Sequence, residues 1–230
     1  MLLNGLAGLP AFGLRAVQIE GDVTRNSVST IRANAAPKLT GNFFTTSLQH
    51  DKQAFESVPW VRHAVVRRVW PNKLVVRLEE HQAAAVWGAD AATDRLVNTF
   101  GEVFEANLGD VEDDSLPTLS GPEGSATHML VMLNALKPIF ERIDANIDSL
   151  TLSGRGSWLV EIDTGARVQL GRGSDDEVLS RTERFAATLT QVSSRYQRPL
   201  EYADLRHNDG YAVRLKGVTT VTTPTKDRKN

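Results

Sequence analysis

The chain has 230 residues, enough for one large domain or two small ones, and its 41% hydrophobic content is typical of a globular protein. Because 26 basic residues face 28 acidic ones, the formal net charge is -2, and no polycationic surface for nucleic acid is expected. Cysteine is absent, which excludes disulfides, thiolate zinc sites and thiol nucleophiles.

The first residues are apolar but interrupted. Residues 1–14 read MLLNGLAGLPAFGL, with three glycines and one proline. They are shorter than the roughly 20 residues that a membrane-spanning helix needs, and no basic region of a signal peptide precedes them. Two interpretations of residues 1–13 stay open, a disordered start or the trailing edge of a membrane anchor.

Residues 14–81 predict a compact unit with the element order βααββ. A short strand ending at Gly21 is followed by two short helices, the first capped by Asn26 or Ser27 and the second by Ser47. Phe43-Phe44, between the helices, is expected to anchor a core. Two helices on a small sheet can bury one apolar layer, so this unit is expected to fold as a domain.

The most readable segment is the hairpin Val58–Glu80. Trp70-Pro71-Asn72-Lys73 predicts a tight turn, because proline presets φ and asparagine tolerates unusual backbone angles. After the turn, apolar residues alternate with charged ones, which is typical of a strand with one face on a core. The hairpin is also basic, but its interleaved residues are aliphatic. We therefore interpret its charges as a solvated face and expect neither nucleic acid nor an anionic membrane to bind there.

Residues 82–217 predict a second domain that mixes helices with a mainly antiparallel sheet. A hairpin is expected around Asn98–Gly101, and residues 116–124 are rich in proline and glycine, which predicts a connection. A helix follows from Ala126 to Arg142, with Pro138 as a kink or early stop. The acidic stretch from Asp110 to Ser115 is expected to be a surface loop.

The last part of this domain predicts a three-stranded antiparallel meander over residues 147–170 and a helix opened by three acidic residues from Asp175. A final hairpin is predicted from LEYADLRH and YAVRLKG, joined at Asn208-Asp209-Gly210, because Asp-Gly is a strong hairpin signal. The threonine-rich, charged residues 218–230 lack an apolar period and are expected to be disordered.

Catalytic, cofactor and metal sites are not predicted. The turn Gly171-Arg172-Gly173-Ser174 precedes a helix but lacks the lysine of a phosphate-binding loop, so a plain strand-to-helix turn is expected. Glu79, Glu80 and His81 follow one another on a strand, where successive side chains point to opposite faces and cannot converge on a metal. If the last hairpin is a sheet edge, its backbone would be free to accept a partner strand, with Arg155, Arg206, His207, Asp209 and Tyr211 nearby to supply specificity.

Six stretches of the chain resemble the FtsQ/DivIB family of bacterial divisome proteins. The most specific are R-x-W-P-x-x-L-x-V-x-L-x-E at Arg68–Glu80 and Y-x-D-L-R at Tyr202–Arg206. The other matches are VQIEGD at 17–22, GNFF at 41–44, VNTFGEVF at 97–104 and LPTLSGPEGS at 116–125, and the hairpin motifs extend to Pro59 and Val213.

This resemblance implies an α+β protein with an N-terminal POTRA domain over residues 14–81 and a β domain over 82–217. It implies no catalytic activity and no cofactor. Family members are single-pass inner-membrane proteins whose periplasmic part scaffolds FtsB and FtsL at the septum and links them to septal peptidoglycan synthesis. FtsW, FtsI and FtsN are further expected partners through the POTRA domain, and the membrane is reached through an N-terminal anchor, of which this sequence carries at most the end.

The resemblance also implies partner-binding residues, because in the family a segment of FtsB adds a strand to the last sheet edge. An arginine before the S-W strand is expected to pair with an acidic FtsB residue, and R-G-S-W places it at Arg155, beside Trp158. The expected edge comprises Arg206, His207, Asn208, Asp209 and Gly210. A tyrosine common after D-L-R is His207 here, so Tyr211 is the candidate for the aromatic contact.

Two other function classes fit the sequence less well. A POTRA-type polypeptide-binding module of an outer-membrane assembly or secretion system would carry repeated POTRA units or a following barrel, and the sequence shows neither. An enzyme acting on peptidoglycan would need convergent carboxylates or a nucleophile with its base, and no such spacing is present.

Overall fold

A computed structural model describes residues 16–21, 23–88, 94–196, 198–207 and 210–217. Residues 1–13, predicted as a disordered start or the trailing edge of a membrane anchor, and residues 218–230, predicted as a disordered tail, lie outside these residues. Within them, no helix is both long and apolar enough to cross a membrane.

The chain divides into two compact units. The first comprises Met1–Val86 and Ala91–Ser115, and the second Trp87–Asp90 and Leu116–Asn230. Residues 82–86 and 91–115 thus group with the first unit, and the domain boundary predicted between residues 81 and 82 stays a prediction.

The first unit contains the predicted βααββ order, which is confirmed. Its sheet has the order β1-β3-β2, with β1 parallel and β2 antiparallel to the central strand. Ser47 caps the second helix by accepting a hydrogen bond from the His50 amide, and Ser27 caps the first in the same way. The elements are β1 (Ala16–Glu20), α1 (Val28–Ala35), α2 (Leu48–Glu56), β2 (Val61–Val69) and β3 (Lys73–Glu80).

The two helices cover one face of this sheet. Val76 and Leu78 of β3 share a buried cluster with Ile31 of α1 and Phe55 of α2. Each such side chain contributes about 1.5–3 kcal/mol by leaving water. The expectation that Phe43-Phe44 anchors the core is correct for Phe43 alone, which is 6% exposed where Phe44 is 47% exposed.

Three further strands of the first unit form an antiparallel meander, in which β4 pairs with β5 and β5 with β6. The predicted hairpin around Asn98–Gly101 is therefore confirmed. The predicted acidic surface loop is instead a 3-10 turn, Leu108–Asp114, with Val111 buried. The strands are β4 (Ala83–Trp87), β5 (Arg95–Asn98) and β6 (Val103–Glu105).

In the second unit, six strands follow the order β12-β11-β10-β9-β8-β7. The pairs β8–β9, β9–β10 and β11–β12 are antiparallel, whereas β7–β8 and β10–β11 are parallel, each joined through a helix. The predicted meander, last hairpin and α+β class are confirmed. The elements are β7 (Thr118–Ser120), α3 (Ala126–Glu141), β8 (Ile147–Leu152), β9 (Trp158–Ile162), β10 (Arg167–Gly171), α4 (Asp175–Tyr196), β11 (Leu200–Asp204) and β12 (Ala212–Leu215).

Two details of this unit differ from the sequence prediction. Residues 118–120, predicted as part of a connection, form β7, whose pairing with the distant β8 supplies order that the local composition does not encode. Pro138 lies inside α3, which continues to Glu141, because Leu136, Ile139 and Phe140 are buried around it and this packing offsets the lost helical hydrogen bond.

Candidate functional site

β12 is the last strand in the order of its sheet, and only one of its two sides is paired in the described residues. The Lys216 amide donates to the Pro199 carbonyl, so the backbone of Lys216 faces the β11 strand. The Leu205 amide, just after β11, faces the opposite way and donates to the Gln169 carbonyl of β10. Because peptide groups alternate in direction along a strand, Ala212 and Arg214 face β11. The N–H and C=O groups of Val213 and Leu215 therefore face outward, where a further strand could pair.

A groove runs beside this edge, between α4 and the segment that follows β11. Its larger part has a volume of about 830 Å³, and a second part of about 390 Å³ shares four of its residues. The segment after β11 contributes Leu205, Arg206, His207, Gly210 and Tyr211. Helix α4 contributes polar side chains from a face of the helix other than the one that carries its buried apolar residues. These α4 residues are Asp176, Glu177, Ser180, Arg181, Arg184 and Thr188.

Asp204 fixes Arg206 at the mouth of the groove. Its side chain is 11% exposed, and its carboxylate accepts three hydrogen bonds from Arg206, from the backbone amide at 3.1 Å, Nε at 2.8 Å and Nη2 at 2.6 Å. These bonds lower the pKa of Asp204 to about 2, and the carboxylate in turn raises the pKa of Arg206. Arg206 is thus held as a cation in one orientation.

Arg181 is a structural cation in the same groove. Its guanidinium donates to the carbonyls of Leu170 at 3.0 Å, Arg172 at 2.5 Å and Glu177 at 3.2 Å, which ties α4 to the end of β10. Gly171 lies at this junction with φ of 83°, and a Cβ there would stand 2.8 Å from Cγ of Arg206. Glycine at position 171 therefore lets the side chains of Arg181 and Arg206 pack closely against the backbone there.

Two further arginines face the groove with their charges unpaired. Arg172 and Arg184 are exposed, and in the part of the chain that the structure describes neither side chain makes a hydrogen bond or an ion pair. An unpaired guanidinium in a groove favours a carboxylate ligand, because the planar donor array matches carboxylate geometry.

Tyr211 connects the β12 edge to α4. Its hydroxyl contacts that of Thr188 at 2.5 Å, and its ring meets Phe185 edge to face at 5.1 Å. The ring is thus held on the helix side, and one face of this side chain is already occupied within the chain.

The structure brings together only some of the predicted site residues. Arg206, His207, Gly210 and Tyr211 line the groove. Arg155 is exposed in the β8–β9 turn, two residues before Ser157, which lines the groove where Arg155 does not. Asn208 and Asp209 lie outside the described residues.

Trp158 has a different position. Its indole is 2% exposed and meets His128 edge to face at 5.3 Å, so it belongs to the core and presents no surface to a partner. The expectation that Trp158 contacts a partner is therefore not carried into the proposed contact surface.

Sequence reasoning missed Arg172 and Arg184 as site residues. Arg172 sits in a turn whose glycines suggested only a phosphate site, and Arg184 stands three residues after Arg181 on the polar face of α4. A helical projection of α4 would have placed Arg181, Arg184 and Thr188 on one side, but only the fold shows that Arg206 faces them.

The rejected catalytic and metal motifs have structural roles. Ser174 and Glu177 bond reciprocally, side chain to backbone amide, at 2.9 and 3.3 Å, so the turn before α4 is a capping box, and the predicted strand-to-helix turn is confirmed. Glu80 caps the Thr24–Asn26 backbone, whereas Glu79 pairs with Arg62. Among the described residues, no cluster of three metal-binding side chains is found.

Two family models match the chain. "POTRA domain, FtsQ-type" covers residues 12–81, and "Cell division protein FtsQ/DivIB, C-terminal" covers residues 85–206. Together they span most of the sequence.

Curated relatives agree with these models. The chain is 42% identical to the cell division protein FtsQ of Burkholderia pseudomallei, over 96% of this chain and 86% of that protein. It is 40% identical to FtsQ of Thiomonas arsenitoxydans, over 89% and 76%, and 39% identical to FtsQ of Bordetella pertussis, over 94% and 85%. The chain therefore belongs to the FtsQ family of cell division proteins.

Proposed function

We propose that the chain is a non-enzymatic scaffold of the divisome that binds a segment of FtsB by strand addition to β12. The observation that carries this proposal is the outward-facing backbone of Val213 and Leu215 on an edge strand. Edge strands that remain unprotected are the usual acceptors of an extended peptide, because the backbone supplies affinity and neighbouring side chains supply specificity.

The groove beside β12 supports the same proposal through its charge. Arg172, Arg184 and Arg206 offer guanidinium groups to an incoming segment, and an acidic side chain of FtsB would meet them within the groove. The resemblance assigns this pairing to Arg155, which stands in the turn beside Ser157. We extend the proposed contact to Arg172 and Arg184.

Family membership favours this function over that of an outer-membrane assembly or secretion module. In the proposed arrangement FtsB arrives with FtsL, and the chain links both to septal peptidoglycan synthesis from the periplasmic side of the inner membrane. The POTRA domain is then the proposed surface for FtsW, FtsI and FtsN.

The test compares prolines at two outward-facing edge amides. Val213→Pro removes a donor only from an incoming strand, since this amide faces away from β11. The matched control is Val103→Pro on β6. The Glu102 carbonyl accepts a hydrogen bond from the Asn98 amide and so faces β5, and by alternation the amide of the next residue, Val103, points outward. An FtsB C-terminal peptide is expected to bind Val213→Pro at least about tenfold more weakly, and Val103→Pro as it binds wild type.

Circular dichroism is used to check that each variant is folded. Wild-type affinity in folded Val213→Pro would overturn strand addition at this edge. Charge reversal then locates the acidic contact, because Arg155→Glu, Arg172→Glu and Arg184→Glu are compared one at a time. A desolvated pair lost in this way costs about 2–5 kcal/mol, and a rim pair about 0–1 kcal/mol.

A further inference from the structure

The turn between β2 and β3 carries the most exposed tryptophan of the chain. Trp70 is 76% exposed, whereas Trp60, Trp87 and Trp158 are each 2% exposed. A large aromatic side chain left in water is unusual for a folded domain and often marks a surface that meets an apolar or interfacial phase.

The register of the first sheet places this turn where the chain enters the domain. β1 runs parallel to β3, and Ala16 lies opposite Lys73, the residue that follows the turn. Residues 1–14 precede this strand in the sequence, with Arg15 between them and Ala16. Residues 1–14 contain no charged side chain. The strand that follows this apolar stretch in the sequence therefore begins at the same end of the sheet as the turn that carries Trp70.

The residues around Trp70 are basic. Residues 57–78 include no acidic residue, and Arg67, Arg68 and Lys73 lie within three residues of Trp70. Glu20, on the neighbouring strand β1, stands 3.8 Å from Arg77 and 4.0 Å from Arg67, so it offsets part of the charge on one side of the hairpin. The net charge beside Trp70 remains positive.

A second exposed aromatic side chain, Phe44, lies in the loop before α2. It is two residues before Thr46, whose carbonyl accepts a hydrogen bond from Arg68. The loop thus adds apolar surface close to the basic turn.

We propose that this turn patch, defined as Arg67, Arg68, Trp70 and Lys73, rests on the anionic surface of the lipid bilayer. Tryptophan partitions to the membrane interface, and lysine and arginine are attracted to anionic headgroups. The sequence alone favoured a solvated face for these charges. The parallel register changes that interpretation, because it brings the basic turn to the end of the sheet where β1 begins, directly after the apolar part of the sequence.

This inference rests on the membrane location in the proposed function. The inference extends the proposed function by assigning a lipid-facing surface to the first unit. This contact would fix the tilt of that unit on the membrane. The contact is separate from β12, so the two proposals can fail independently.

Tryptophan fluorescence of the full 230-residue chain tests the patch, because the other three tryptophans are buried. Vesicles of equal parts phosphatidylethanolamine and phosphatidylglycerol are compared with vesicles of pure phosphatidylcholine. On the anionic vesicles we expect the acrylamide-accessible emission to become protected and to be quenched by brominated acyl chains. The Trp70→Phe variant should lack both changes.

Binding to the same vesicles is then measured for variants. Trp70→Ser is expected to bind at least about tenfold more weakly. Reversing Arg68 or Lys73 to glutamate should weaken binding about fivefold or more for each charge removed, only on anionic vesicles. Val131→Ser, an exposed apolar residue on α3, and Arg142→Glu are matched controls that should bind as wild type does.

The proposal is overturned if vesicle-bound protein keeps Trp70 accessible to acrylamide, even when residues 1–14 attach the chain to the vesicle. Absence of binding to the anionic vesicles would also overturn it. FtsB-peptide affinity of Trp70→Ser should be unchanged, which separates a failure at this patch from a failure at β12.

Discussion

The Asp204–Arg206 pair can be tested by Asp204→Asn. An asparagine can keep one acceptor oxygen toward Arg206, but its NH₂ group then faces Nη2 of Arg206, and two donors meet where a carboxylate accepted both. The variant removes the charge that holds Arg206 and leaves the side-chain volume unchanged.

The magnitude follows from the pKa. The pKa of Asp204 falls from its ordinary 3.8 to about 2, chiefly through the side-chain hydrogen bond of Arg206. At about 1.4 kcal/mol per unit this is at most about 2.5 kcal/mol. Because the Arg206 side chain is 57% exposed, solvent screening reduces the value, and we expect Asp204→Asn to lower the free energy of unfolding by about 1 kcal/mol.

The lowered pKa also predicts how the difference in stability between wild type and Asp204→Asn changes with pH. A carboxylate with a lowered pKa in the folded state adds stability above its unfolded pKa of 3.8, and this stability is lost as pH falls through about 2. Urea unfolding of both proteins should therefore show a difference at neutral pH that shrinks below pH 3.8 and disappears near pH 2.

The control is Glu161→Gln, whose partner Arg167 is 65% exposed and which should change stability by less than about 0.5 kcal/mol. An Asp204→Asn variant as stable as wild type at neutral pH would refute this account of the pair. A deficit that stayed constant down to about pH 2 would refute it as well.

Two further substitutions probe the groove and the first core. Gly171→Ala should lower the free energy of unfolding by about 2–3 kcal/mol, because φ is 83° and the new Cβ would meet Arg206. The control Gly165→Ala has φ of 77° but open space around the new Cβ, so it should lower the free energy of unfolding by only about 1 kcal/mol. Equal melting temperatures of the two variants would contradict this expectation. Thr46→Val should lower the free energy of unfolding in urea by about 2–4 kcal/mol, because the Thr46 hydroxyl donates at 2.6 Å to the fully buried Asp51 carboxylate. A decrease below about 1 kcal/mol would show that another donor replaces the Thr46 hydroxyl.

The sequence predicts the first unit well because its signals are local. Alternation after the Trp70–Lys73 turn, serine caps and a proline-containing turn each act within a few residues. The pairing of the last two strands was also predicted from a local signal, Asp-Gly, although Asp209 lies outside the described residues and the strands end at Asp204 and begin at Ala212. β7 was missed because its three residues are too few to show a period, and only their pairing with β8 orders them.

The candidate site was less accessible to sequence reasoning. Its groove joins α4 to the segment after β11, and the unpaired charges of Arg172 and Arg184 depend on which neighbours the fold supplies. Trp158 was predicted as a partner contact because it follows the R-G-S-W motif, and strand alternation turns its side chain into the core, so its contact with a partner stays a prediction. The outward direction of Val213 follows from ladder alternation, which requires the register of β10, β11 and β12.

The most direct test of the central claim is hydrogen exchange at the Val213 and Leu215 amides, with and without the FtsB C-terminal peptide. Both amides face outward in the free chain, so they should exchange rapidly there and become protected in the complex, while Ala212 and Arg214 are protected in both states. A complex that forms without protecting Val213 and Leu215 would contradict strand addition at β12.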